Sequence, residues 1–369
     1  MKQQPGKIGI REYLSIAILM VGSKVTEDTP TALFQKAQNA AWMIPIITAA
    51  FTFIPLFLLI KTMSLYQNKN LFSVIQKLLG KYLGFFVCLL IFIINVFSIS
   101  FDSRTYTTII RTFYFNRTPI VIIYAILMGV CAYGAKKGIQ HIGSVAYLII
   151  YYAVLLLYLA FVLCTQDSSI QSLFPIWGPG KLELLKQSSL NLSLFSEFFL
   201  FALIIPSIAS YKDFRKGTWI ALVYISIQLS VGIIIFICLF DASLKGIGYP
   251  FHTAIRFISI GTFFPNIEIL FFVIWLMAAL IRFTAFLYIN ALMFGQLFKI
   301  KNFEFLIPAL ATIYLLIGSI PESPYDLSLQ LKPILRSVIG PTFLVVSITL
   351  WLVALLKGEF KHEKKRGSM

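Results

Sequence analysis

Long runs without a single charged residue constrain this chain most. They cover 37–60, 82–101, 118–135, 142–164, 218–240 and 337–356, with a further run over 187–211 interrupted by Glu197. A helix that crosses the hydrocarbon of a bilayer needs about 20 apolar residues, so each run predicts a span. Residues 265–293, interrupted by Glu268 and Arg282, and 305–321 add two more. With the N-terminal segment the expected fold is an all-α integral membrane protein of about ten transmembrane helices. The composition agrees: 12% of the 369 residues are charged, about half the fraction usual in soluble proteins. No stretch is left over for a separate soluble domain.

The N-terminal segment is unusual. Glu12 and Lys24 bracket eleven residues, which as a helix reach about 17 Å, roughly half a bilayer. A Gly22–Ser23 step follows, and the apolar pattern resumes after Pro30. That is the pattern of an interrupted helix. The apolar run from Tyr13 to Ser23 lacks a small-residue cleavage site and is followed by Lys24, Glu27 and Asp28, so no cleavable signal peptide is expected. A five-plus-five division, about 8–164 and 187–357, with breaks in helices 1 and 6, would be an inverted repeat; a basic tail, 358–369, follows.

Orientation follows from the basic residues. With the N-terminus inside, 19 of the 31 lysines and arginines fall in inner segments, eleven in outer loops, and Arg282 within the membrane. The positive-inside bias therefore places both termini in the cytoplasm. It also accounts for the net charge of +16 without a nucleic-acid partner; the tail is expected to meet anionic membrane lipids. Among the outer connections, His252 to Ile260 reads as an amphipathic surface piece.

Catalysis finds little support. The three histidines, His141, His252 and His362, are scattered, and there is no HExxH, GxSxG, P-loop or metal-spaced carboxylate cluster. Cys88, Cys131, Cys164 and Cys238 are single, far apart and each in an apolar stretch, as packing residues are. No enzyme, cofactor or metal is expected. The breaks carry the stronger signal, because unpaired backbone groups at membrane depth are tolerated only where they line a cavity or bind a ligand. A half-helix N-terminus suits a carboxylate, and a free C-terminal end offers carbonyls to an ammonium group. A zwitterionic amino acid fits such a pair.

The expected ligand-binding residues are therefore Gly22 and Ser23 at the first break and Ser196 and Glu197 at the second. Asn95 and Ser98 on helix 3 and Thr284 on helix 8 complete the set. An ionisable group inside a span, such as Glu197, marks function by default. Lys24 and Asp28 are spaced to pair with each other, Asp102 and Arg104 to close the outer end of helix 3, and Arg282 to meet carbonyls or reach inward rather than bond Glu197. Trp42 and Trp275 read as packing or interfacial residues.

These residues resemble a known family. Gly22-Ser23 followed by Pro30, Gln38-Asn39-Ala40-Ala41-Trp42, Phe195-Ser196-Glu197 with Pro206, Tyr249-Pro250 with Arg256, and Asn266-Ile267-Glu268 with Trp275 are similar to the B subunits of spore germinant receptors. That family is a branch of the amino acid–polyamine–organocation transporter superfamily. The resemblance covers nearly the whole chain. It implies a leucine-transporter-type 5+5 inverted repeat in the spore inner membrane, a small-molecule germinant such as an amino acid, and partner A and C subunits. The rival expectation is a proton- or sodium-coupled amino acid transporter. Two departures from the family stand out: the charges at Lys24, Glu27 and Asp28, where the family is usually apolar, and Ser196 where glycine is common.

Overall fold

The computed structural model describes residues 6–257 and 267–360. Its α-helical pieces are, in chain order, α1 Ile10–Val21, α2 Thr29–Ala37, α3 Ile44–Ser64, α4 Leu71–Leu79, α5 Lys81–Phe113, α6 Ile120–Lys136, α7 Ile139–Cys164, α8 Lys181–Leu190, α9 Glu197–Leu200, α10 Tyr211–Phe240, α11 Pro250–Phe257, α12 Ile267–Leu297, α13 Ile307–Gly318, α14 Pro324–Asp326 and α15 Lys332–Leu356. Among the described residues there is no strand, only an isolated bridge between Ile8 and Ile208. Six continuous helical stretches are long and apolar enough to cross a membrane: Thr29–Ser64, Lys81–Phe113, Ile139–Cys164, Tyr211–Gly246, Glu268–Leu297 and Pro324–Leu356. Ile120–Lys136, Leu192–Leu203 and Phe303–Gly318 are shorter apolar helices. Asn266, residues 258–260 of the outer amphipathic piece, and the tail from 361, including His362, lie outside the described residues.

Helix faces sort by solvent. On α5, Phe86, Leu90, Ile93 and Phe97 are exposed while Cys88, Ile91, Asn95 and Ile99 are buried. That spacing puts the two sets on opposite faces of one helix. An exposed face made of phenylalanine and leucine suits lipid rather than water.

Three expectations from apolar runs need correction. First, α5 does not stop at Phe101 but runs through Asp102, Arg104 and Arg111 to Phe113. Asp102 therefore sits about 17 Å before the helix end, well inside the bundle. Second, α15 begins at Lys332, after a π-helical turn over Leu327–Leu331. Lys332 and Arg336 thus belong to the last span and not to an outer loop. Third, the stretch 187–211 is not one interrupted helix. It breaks into the end of α8, a 3-10 turn Leu192–Phe195, the single turn α9 and further 3-10 turns at Phe201–Leu203 and Ile205–Ser207. Short polar side chains explain the fragmentation. Ser188 bonds to the Leu184 carbonyl, Asn191 to that of Gln187 and Ser196 to that of Ser193; local side-chain bonds of this kind compete with helix continuation.

The first break lies at the Gly-Ser step. Helix α1 ends at Val21, a 3-10 turn runs over Gly22–Thr26, and helix resumes at Thr29 with Pro30 in its first turn. Proline is tolerated there because the first-turn amides have no helical partner. Helix α1 packs chiefly on α7, α10 and α12. Tyr13 meets the Thr218 hydroxyl of α10 at 2.7 Å. A side chain at Gly232 of α10 would collide with Val25, so glycine there admits the 3-10 turn. Below the break, the Ile8 amide donates to the Ser207 carbonyl at 2.9 Å and the Ala209 amide to the Ile8 carbonyl at 2.8 Å. The approach to α1 is thereby tied to the segment that leaves the second break. The four cysteines are buried and unbridged.

Candidate functional site

The two breaks face each other and are joined by a buried ion pair. The Lys24 ammonium lies 2.6 Å from Glu197 Oε1 and 2.7 Å from Oε2. It also donates to the carbonyls of Leu194 at 2.7 Å and Ser193 at 3.4 Å. Lys24 and Asp28 do not pair as expected. The i,i+4 spacing holds only in an α-helix, whereas this segment is a 3-10 turn with extended backbone at Glu27.

Asp28 instead meets Lys332 at 3.0 Å and Arg336 at 3.5 Å, both on α15. Lys332 also lies 3.4 Å from Asp102, and Arg282 of α12 pairs with Asp102 at 3.0 Å. Arg282 has 0% exposure and donates to Ser23 Oγ at 2.6 Å. It neither reaches toward the membrane surface nor relies on carbonyls, because an acid stands beside it at the same depth. With Glu27, four acids and four bases gather between the first break, the second break, α5, α12 and α15. Buried charges persist only when so paired.

Two cavities of about 60 Å³ each adjoin this cluster. The first is polar, lined among others by Glu27, Asp102, Lys332 and Arg336. The second is more apolar, with Ile91, Phe199, Phe286 and Phe343. Ser98, Asp102, Ser196, Glu197 and Ile339 border both. Cavity space of about 10–15 Å³ holds one water, so each takes a group of several heavy atoms.

The expected site residues divide accordingly. Ser98, Ser196 and Glu197 lie together between the two cavities, and Asn95 borders the second, where it donates to the Asn290 side chain. Gly22 and Ser23 face a third cavity of about 60 Å³ on the other side of the break, with Ile18, Leu19, Gln228 and Trp275. There Gln228 donates to the Gly22 carbonyl at 3.2 Å. Thr284 is not brought to the site; it packs on Gly134 of α6. Trp275 is a packing residue, stacked on Tyr106 at 5.2 Å and bonded to Thr26 Oγ1 at 2.9 Å.

Sequence reasoning missed Glu27, Lys332 and Arg336 as site residues and misplaced Asp102. One signal was available: Lys332 and Arg336 are four apart, hence on one face of any helix that continues the last apolar run upward.

Helix α11 packs on α7, α10, α12 and the 3-10 turn of the first break. His252 is buried there against Trp275 and shares Nδ1 with the Tyr114 hydroxyl at 3.2 Å. Burial, with Arg256 nearby, pushes its imidazole down to about 3, so it is neutral at physiological pH.

Comparison with known proteins agrees with this architecture. A family profile described as spore germination protein matches residues 12–327. Spore germination protein KB of Bacillus subtilis (strain 168) is 26% identical over 309 residues, covering 81% of each chain. Putative spore germination protein YfkT of the same organism is 23% identical, covering 73% of this chain and 74% of its own. Among solved structures, the chain is similar to MHP1, a nucleobase-cation-symport-1 family transporter in a closed conformation with bromovinylhydantoin bound. The TM-score is 0.60 at 16% identity, with 95% of this chain and 94% of that one covered. At that identity the likeness is one of fold.

Proposed function

The chain belongs to the spore germination protein family, and from that premise we propose that it is the nutrient-sensing membrane subunit of a germinant receptor. It binds a small molecule, an amino acid, near the membrane midplane. The site lies between the two breaks, α5 and α15, and binding signals to partner A and C subunits. The observation that carries this reading is the pair of facing helix interruptions bordered by cavities at Ser98, Ser196 and Glu197. Interrupted helices near the midplane build the ligand sites of many transporters. A ligand shifts a conformational equilibrium only through different affinity for the two states, and a site shared by two broken helices and a long continuous one supplies that difference.

In this reading the chain spans the spore inner membrane ten times. Interrupted helix 1 (α1 with α2), α3, the other five long stretches and the three shorter apolar helices are the spans, arranged as inverted repeats over about 8–164 and 187–357. Both termini are cytoplasmic. Burial of Lys24 and Lys332 among the acids removes two cations from the outer loops and strengthens the charge bias behind that orientation.

The test is thermal stabilisation of the purified protein by a panel of amino acids and sugars, with Ser98→Phe alongside. Binding raises the melting temperature by mass action, and a phenylalanine between the two cavities should abolish the shift. No shift with any of these, or an unchanged shift in Ser98→Phe, would count against the site. A second reading, a proton- or sodium-coupled amino acid transporter, would use the same fold. Uptake of labelled amino acid into proteoliposomes separates the two.

A further inference from the structure

The four acids of the central cluster are not equivalent. Glu197, Asp28 and Asp102 are each in an ion pair. Glu27 is in none. Its Oε1 accepts from Thr29 Oγ1 at 3.1 Å, and its Oε2 has no partner, although the residue is only 2% exposed. Among the described residues it is the one buried carboxylate oxygen left unpaired. Buried polar groups are nearly always satisfied, so an orphaned carboxylate oxygen on a residue that lines a polar cavity points to a donor that binds there.

The second break, by contrast, is already occupied. The carbonyls of Ser193 and Leu194, which would receive a ligand's ammonium, accept from Lys24 instead. The chain thus supplies its own ammonium at that position, and Glu27 is the acceptor that remains. Across the same cavity, Arg336 makes one loose contact, to Asp28 at 3.5 Å. A guanidinium carries five donors, so several are free for a carboxylate. The adjoining cavity, lined by Ile91, Phe199, Leu200 and Phe343, suits an apolar side chain.

We infer that Glu27 receives the ammonium group of a zwitterionic amino acid whose carboxylate faces Arg336 and whose apolar side chain enters the second cavity. This rests on the reading of the site given above. It moves the ammonium from the carbonyls of a half-helix end to a carboxylate side chain.

The experiment uses the full chain in lipid nanodiscs. L-alanine, L-valine and L-phenylalanine are titrated, with isovalerate and N-acetyl-L-valine as analogues lacking the ammonium, and sodium or potassium chloride against choline chloride as a cation control. Glu27→Gln keeps the shape and breaks no ion pair, so it should fold. The expected result is binding of an amino acid by the wild type, none of the two analogues, and affinity about 10- to 100-fold weaker in Glu27→Gln, the range of a charged hydrogen bond. Wild-type affinity in Glu27→Gln would overturn the assignment and leave the receptor reading intact. Glu27-dependent stabilisation by sodium or potassium alone, with amino acid binding unchanged by the substitution, would also overturn it, in favour of an inorganic cation. If the wild type binds none of the three amino acids, the assignment falls together with the amino acid reading.

Discussion

The two sides of the first helix break carry cavities of the same size and opposite chemistry. Toward α5 and α15, about 60 Å³ is bordered by three acids and three bases. Toward α7, α10 and α12, about 60 Å³ is bordered mostly by Ile, Leu, Val and Ala, with Gln228 and Trp275 the main polar groups. On the apolar side Gln228 bonds the Gly22 carbonyl and leaves its own neutral Oε1 without a partner, and Trp275 bonds the Thr26 hydroxyl. On the charged side one carboxylate oxygen is left over. What separates the two sides here is the charge of the unsatisfied group, a carboxylate against a neutral amide, rather than volume.

The largest test of that contrast is the charge cluster itself. Arg282→Ala leaves Asp102 buried beside Lys332 alone and should destabilise the fold by about 3–5 kcal/mol, read as loss of a monodisperse peak or a collapsed melting curve in detergent. Arg282→Met with Asp102→Asn should recover part of the loss. Lys24→Met should cost nearly as much and be partly rescued by Glu197→Gln, with a coupling energy of roughly 1–3 kcal/mol in the double-mutant cycle. Additivity of the two would mean that the pair does not join the breaks.

Smaller effects sharpen the comparison. Ala278→Leu fills the apolar cavity and should leave amino acid stabilisation unchanged, whereas Ser98→Phe removes it. Equal loss in both would make the two sides equivalent. Gln228→Leu removes one buried hydrogen bond and should lower stability by about 1 kcal/mol without altering ligand affinity. The smallest effect is at α11. The unfolded chain protonates His252 below its ordinary 6.5, and the native state resists until about 3. Stability therefore falls as pH drops below 6.5, by somewhat under about 1 kcal/mol at pH 6. His252→Gln should flatten that slope in melting temperatures between pH 7 and 6.

The apolar runs made the spans legible, and the Gly22–Ser23 step and Glu197 marked both breaks. Their limits were less legible for one physical reason. Reading charge as the end of a span assumes that each charge must find water, and here charges find one another. Asp102 looked like a helix end and Lys332 and Arg336 like loop residues because their partners lie far away in sequence, at Arg282 and Asp28. Lys24 and Glu197 lie 173 positions apart, so no local spacing links them. Thr284 of α12 lies against Gly134 of α6 and away from the two cavities, since periodicity alone does not say which neighbour a polar side chain meets.

The two main-chain bonds between Ile8 and the Ser207–Ala209 segment act like a pin through two levers. Because they join backbone to backbone, they are indifferent to the identity of the side chains and fix the same ends of both broken helices to each other. Rearrangement at the breaks must then either swing those ends as one rigid arm, with its travel expressed at the opposite end of the bundle, or shear the pin. Proline at position 209, which removes one of the two donors, is the way to loosen the lever without touching the site.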